Sequence, residues 1–69
     1  MDARGLICPL PIFRLAQAIR PLPQGAVLHL IGTDAAIHPD VQAWCEATGH
    51  GLVRLGLGEG TFEAWIRKS

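Results

Sequence analysis

The segment Ala26-Val27-Leu28-His29-Leu30-Ile31 constrains the fold more than any other: it is an apolar, partly β-branched run closed by Gly25 and Gly32, so it reads as a strand with a helical pattern on each side. Upstream, from Pro11 to Arg20, Ile12, Leu15, Ala16 and Ile19 recur at helical spacing while Arg14 and Gln17 fall on another face. Pro21, Pro23 and Gly25 end that helix. Downstream lies the loop Gly32-Thr33-Asp34-Ala35-Ala36, and then Pro39 marks the start of a second helix with Ile37, Val41, Trp44, Cys45 and Thr48 on one face and Gly49 as its stop. A strand between two helices needs other strands to pair with. Residues up to about Ile7 offer a short one ending near Arg4-Gly5, and Leu52 to Leu57 and Thr61 to Arg67 offer two more, joined through Gly58-Glu59-Gly60 as a hairpin. The order is β-α-β-α-β-β.

Strand-helix-strand crossovers are right-handed, so both helices should cover one face of the sheet and leave the other open to water. Alternation in the last strand points Phe62, Ala64 and Ile66 toward the helices and Thr61, Glu63, Trp65 and Arg67 outward, with His29 and Arg54 sharing the open face. A chain of 69 residues has room for one domain of two packed layers over residues 1–69. Such a chain removes only about 60% of its unfolded surface from water, and the 49% apolar content offsets that.

Six basic and six acidic residues cancel, which argues against a domain that lives by neutralising phosphates. No stretch reaches the roughly 18 apolar residues of a membrane span, and no leader pattern precedes the first element, so the expected setting is the cytosol. There Cys8 and Cys45 are expected as free thiols.

The most unusual local feature is Cys8-Pro9-Leu10-Pro11. Proline suits the first turn of a helix because its fixed φ fits and its missing N–H has no acceptor to lose. Leu10, preceding a proline, is pushed from helical angles, so regular helix is expected from Pro11. Cys8 then stands at a helix mouth, where the dipole favours an anion and lowers a thiol pKa from about 8.5. The prolines remove amide donors, so the expected lowering is modest, and Arg4 is a candidate for adding positive charge. The plain alternative is that Cys8 is a small apolar residue ending a strand. No Cys-x-x-Cys is present to supply a resolving thiol. Cys45, about 9 Å along the second helix from Pro39, shares an apolar stripe with Val41 and Trp44 and reads as a core residue.

Asp2-x-x-Gly5-Leu6-x-Cys8-Pro9-x-Pro11 resembles the signature of the TusA/SirA-like sulfur-carrier family, and the resemblance runs along the whole chain through Asp34, Asp40-Val41, Trp44-Cys45, Gly49-His50 and the ending Ile66-Arg67-Lys68. It implies a two-layer α/β sandwich with a four-stranded mixed sheet in order 1-2-4-3, the last strand antiparallel to the others. It further implies that Cys8 accepts sulfane sulfur as a persulfide from a cysteine desulfurase or rhodanese-like protein and relays it to an acceptor protein. The pathways served in the family are tRNA thiolation, molybdenum-cofactor biosynthesis and sulfur oxidation. No metal or organic cofactor is implied. Pro9 and Pro11 would fix the presentation of Cys8, Gly5 would permit the turn before it, and Arg14 and Arg20 would serve partner docking. Two departures stand out: Ala16 and Gln17 occupy places where many members carry lysine or arginine, and Ala35 replaces the proline of the usual Asp-Pro pair.

Asp34 and His38 belong to the same sheet edge as Cys8, the crevice where open α/β sheets place their sites. His38 is either a donor to a sulfur anion or solvent-exposed, and Asp34 either assists Cys8 or caps a turn. On the open face, Trp65 beside His29, Arg54 and Arg67 is either a stacking platform for a nucleic-acid base or a cross-strand pair covering the sheet. The neutral charge disfavours direct nucleic-acid binding, but a non-catalytic RNA- or protein-binding regulatory module using that face stays open as the alternative. The three histidines have no metal-ligand spacing.

Overall fold

A computed structural model describes residues 1–69. The elements are β1 (Asp2–Ala3), α1 (Leu10–Ile19), β2 (Val27–Gly32), α2 (Ile37–Thr48), β3 (Gly51–Gly58) and β4 (Thr61–Arg67). They form a four-stranded sheet in the order β1-β2-β4-β3. β1 runs parallel to β2, and β4 is antiparallel to β2 and β3. This is the expected α/β arrangement with the expected strand order. No helix is long and apolar enough to cross a membrane.

Alternation on the strands divides the sheet into two faces. Leu28, Leu30, Ala64 and Ile66 are buried against Leu15 and Ile19 of α1 and Ile37, Val41 and Cys45 of α2, with Ala3 of β1 joining the cluster. Both helices therefore cover one face, as right-handed crossovers require. The register pairs His29 with Trp65 and Arg54 with Trp65, so these side chains share the opposite face. β3 is an edge strand; its pairing with β4 shifts between Leu52 and Arg54, a bulge of the kind that blunts edge-to-edge association.

The boundaries differ from the sequence expectation for local reasons. β1 is only two residues long, because Gly5 at φ +83° turns the chain immediately and the Leu6 amide closes the turn on the Ala3 carbonyl at 3.1 Å. α1 begins one residue earlier than Pro11, since the Leu10 amide reaches the Ile7 carbonyl at 2.9 Å and carries the chain into the first turn. α2 begins at Ile37, two residues before Pro39, and ends at Gly49, whose left-handed φ of 84° lets its amide donate to the Cys45 carbonyl at 2.9 Å. Thr48 does not join the apolar stripe: it is exposed, and its hydroxyl donates to the Trp44 carbonyl. α1 has no basic residue in its last turn, yet its end is not left unpaired. Lys68, beyond β4, donates Nζ to the carbonyls of Ile19 at 3.0 Å and Arg20 at 2.7 Å.

Candidate functional site

The site lies where β1 and β2 end together, in register at Ala3 and Gly32. Two loops meet there, Arg4 to Pro9 leading into α1 and Thr33 to Ala36 leading into α2. Cross-loop bonds join them: the Gly5 amide donates to Thr33 Oγ1 at 3.0 Å, and the Cys8 amide donates to Asp34 Oδ2 at 2.9 Å. Asp34 Oδ1 accepts from the Ala36 amide at 2.9 Å. Cys8 is exposed, directly before the N-cap residue Pro9.

Of the residues singled out from sequence, Gly5, Cys8 and Pro9 are exposed around one turn, whereas Pro11 is buried as the second helical residue and anchors the start of α1 to the core side. Arg14 and Arg20 are both exposed. Arg14 lies about one turn along α1, whereas Arg20 sits at its far end, about 15 Å from the helix start, with its carbonyl held by Lys68. Arg14 is thus closer along the helix to its entry than Arg20 is. Cys45 is a free thiol buried in the core, as expected.

The electrostatics of Cys8 overturn the expected lowering of its pKa. The thiol is pushed above its ordinary value, chiefly by the nearby Asp40 carboxylate, which favours the protonated form, then by partial desolvation and by the negative charge of Asp34. The helix mouth offers few free amides to compensate. Pro9 and Pro11 have none, the Cys8 amide is held by Asp34, and the Leu10 amide is held by Ile7. Arg4 supplies no relief: its guanidinium is bound to both oxygens of Asp2 at 3.0 Å, which lowers the Asp2 carboxyl to about 2.

His38 fits neither expected role. Its Nε2 lies 3.0 Å from the Gly56 carbonyl and 3.2 Å from the Glu63 carbonyl, and its ring packs edge-on to Phe62. It is half-buried, with Nε2 bonded to the β3–β4 hairpin and not to the sulfur. Asp34 caps its own turn through the Ala36 amide and also accepts from the Cys8 backbone amide. Asp40, in the first turn of α2, was missed as a neighbour of Cys8. The available signal was that α2 starts at the same sheet edge as α1, so acidic residues of its first turn face the thiol.

Replacing Asp40 with Asn tests this account. At pH 7 to 8 the thiolate is the reactive form, so removing the carboxylate that favours the thiol should speed iodoacetamide alkylation of Cys8 by about threefold to tenfold. An unchanged rate would remove Asp40 from the site.

Near Cys8 in sequence, Ile7, Leu10 and Phe13 are 69%, 44% and 59% exposed. On the open sheet face, the His29 ring stacks on Trp65 at 4.7 Å between centroids, and the Arg54 guanidinium lies 5.0 Å over the indole. His29 Nε2 is 2.8 Å from Glu63 Oε1. Trp65 is therefore occupied by neighbours in the cross-strand arrangement. No group of three or more His, Cys, Asp and Glu side chains is placed to hold a metal ion.

Comparison with known proteins places this geometry in context. Residues 1–68 match the family model described as Sulfurtransferase TusA. The chain is 46% identical over 68 residues to the Sulfur carrier protein TusA of Pseudomonas syringae pv. syringae, covering 99% of this chain and 81% of that protein. It is 42% identical over 69 residues to the protein of the same name from Pseudomonas fluorescens, covering 100% and 83%. For that of Pseudomonas paraeruginosa the identity is 40% over 68 residues, covering 99% and 86%.

Proposed function

The chain belongs to the TusA sulfurtransferase family of sulfur carriers, and from that premise we propose that Cys8 is the residue on which the sulfur travels. A sulfur carrier interacts with a protein that donates sulfur and a protein that accepts it. The observation that carries the reading is the placement of the thiols: Cys8 is exposed at the entry to α1, while Cys45 is sequestered in the core.

The donor is a cysteine desulfurase or a rhodanese-like protein presenting a persulfide. The sulfur of Cys8, once deprotonated, attacks the terminal sulfur of that persulfide; a new S–S bond forms on Cys8 as the donor's S–S bond breaks, and the donor sulfur leaves as thiolate. In sum, Cys8–SH and donor–S–SH give Cys8–S–SH and donor–SH, with no net oxidation. The acceptor step repeats the exchange, and the acceptor belongs to tRNA thiolation, molybdenum-cofactor biosynthesis or sulfur oxidation. Gly5 sets the turn, Pro9 and Pro11 stiffen the approach, and the exposed apolar side chains of Ile7, Leu10 and Phe13 suit contact with a protein partner. Arg14, about one turn along α1, is the docking cation closer to its entry, and Arg20 serves a wider footprint.

The test is the intact mass of the wild-type chain after incubation with a cysteine desulfurase and free cysteine, and separately with a rhodanese and thiosulfate. A gain of one sulfur, reversed by reductant, supports the reading. No gain from either donor overturns it.

A further inference from the structure

We propose that Asp34 is a positioning residue for Cys8, its carboxylate strapping the thiol-bearing turn to the loop that opens α2 so that the sulfur is presented in a fixed direction. The inference rests on the reading of Cys8 as the sulfur acceptor. Asp34 uses both oxygens on backbone amides, Oδ2 on Cys8 and Oδ1 on Ala36, each at 2.9 Å. A carboxylate held at both oxygens cannot swing, so the Cys8 amide is tied to a fixed point 26 residues away in sequence. The bond from the Gly5 amide to Thr33 Oγ1 holds the preceding turn to the same loop.

Pro9 completes the constraint. Its ring limits the backbone on the carbonyl side of Cys8, while Asp34 holds the amide side, so the side-chain torsion is the main freedom left to the thiol. Protein-to-protein sulfur transfer needs a near-linear approach of one sulfur to another between two large bodies, and a wandering acceptor lowers the fraction of encounters that are productive. A small alkylating reagent has no such requirement. The carboxylate charge of Asp34 also opposes formation of the Cys8 thiolate. Loss of Asp34 therefore affects the two reactions in opposite directions, which loss of a purely structural contact would not.

Asp34→Ala, Asp34→Asn and wild type separate these effects. Asp34→Ala should load sulfur from a cysteine desulfurase about tenfold more slowly while alkylation of Cys8 by iodoacetamide is unchanged or faster. Asp34→Asn, which keeps an acceptor oxygen for the Cys8 amide, should restore loading to within about threefold of wild type. Hydrogen exchange at the Cys8 amide, read by NMR, should be slow in wild type and Asp34→Asn and fast in Asp34→Ala. The buried Cys45 reports on folding and should stay unreactive in all three. Loading of Asp34→Ala at the wild-type rate, or Cys8 amide exchange unaffected by the substitution, overturns the proposal. Exposure of Cys45 in Asp34→Ala also overturns it, since the strap would then be holding the fold and not the sulfur. The exchange readout needs no sulfur, so a wild-type protein that takes none overturns the acceptor reading separately.

Discussion

Cys8→Ser is expected to take up no sulfur and to melt at the wild-type temperature, whereas Cys45→Ser is expected to load normally and to melt lower. The first half follows from exposure and bonding. The Cys8 side chain is exposed, and the bond that matters locally is made by its backbone amide, which serine keeps. Only the nucleophilic sulfur is lost, and with it the atom that can form the persulfide. The second half follows from burial. Cys45 is 5% exposed within the core cluster, and burial raises its thiol pKa, so it is a poor nucleophile where it stands. A serine hydroxyl there loses water, but within a helix it can bond back to the carbonyl one turn earlier, which limits the loss to about 1 to 2 kcal/mol. For a domain this small that corresponds to a fall of roughly 5 to 15 °C in Tm. Intact mass after loading and a thermal melt of each variant check both halves. Sulfur retained on Cys8→Ser would move the acceptor role to Cys45 and require a core that opens.

The contrast between the two cysteines was legible in the sequence because it rests on local pattern. Cys45 shares a helical stripe with Ile37 and Val41, and all three are buried. Phe62, Ala64 and Ile66 alternate with Glu63 and Trp65, and the register places them as alternation requires. Periodicity speaks about one element at a time, however, and the chemistry of Cys8 is set between elements. Asp34 and Asp40 come from a loop and a helix 26 and more residues away, and nothing near Cys8 announces them. A helix dipole and missing proline amides can be read beside Cys8, whereas the carboxylates of the neighbouring helix start cannot. At short range their charge outweighs the dipole, which acts mainly through free amides, and this turn has few. Lys68 teaches the same lesson. A lysine after the last strand carries no local sign that it caps α1, 48 residues earlier, at the Arg20 carbonyl.

A thiol held in its protonated form is consistent with a carrier that meets its donor as a protein. The free molecule keeps Cys8 exposed but poorly ionised, which slows oxidation and adventitious alkylation.

The scaffold that holds this turn depends on a small number of fully buried side chains, and Leu30→Ala should show how small its margin is. Leu30 is 0% exposed on β2, with β1 on one side and β4 on the other, and its cross-strand partner on β4 is Ala64, itself 0% exposed. Alanine at position 64 leaves no large neighbour able to fill the space, so the cavity should remain open and the cost should be about 3 to 4 kcal/mol. Stability of roughly 0.05 to 0.15 kcal/mol per residue gives a chain of this length about 3 to 10 kcal/mol in total. A single truncation at Leu30 therefore removes between a third and all of it, and Tm should fall by roughly 12 to 32 °C. Leu57→Ala makes the control, because Leu57 is 74% exposed on the edge strand β3 and should change stability by less than about 0.5 kcal/mol. Urea unfolding followed by tryptophan fluorescence measures both, since Trp65 is packed between His29 and Arg54 in the native sheet. A Leu57→Ala loss as large as that of Leu30→Ala would mean that the edge strand is buried in solution, against another copy or another chain. A small loss at Leu30 would mean that the layer between sheet and helices closes around the missing side chain, and that the core is looser than its burial implies.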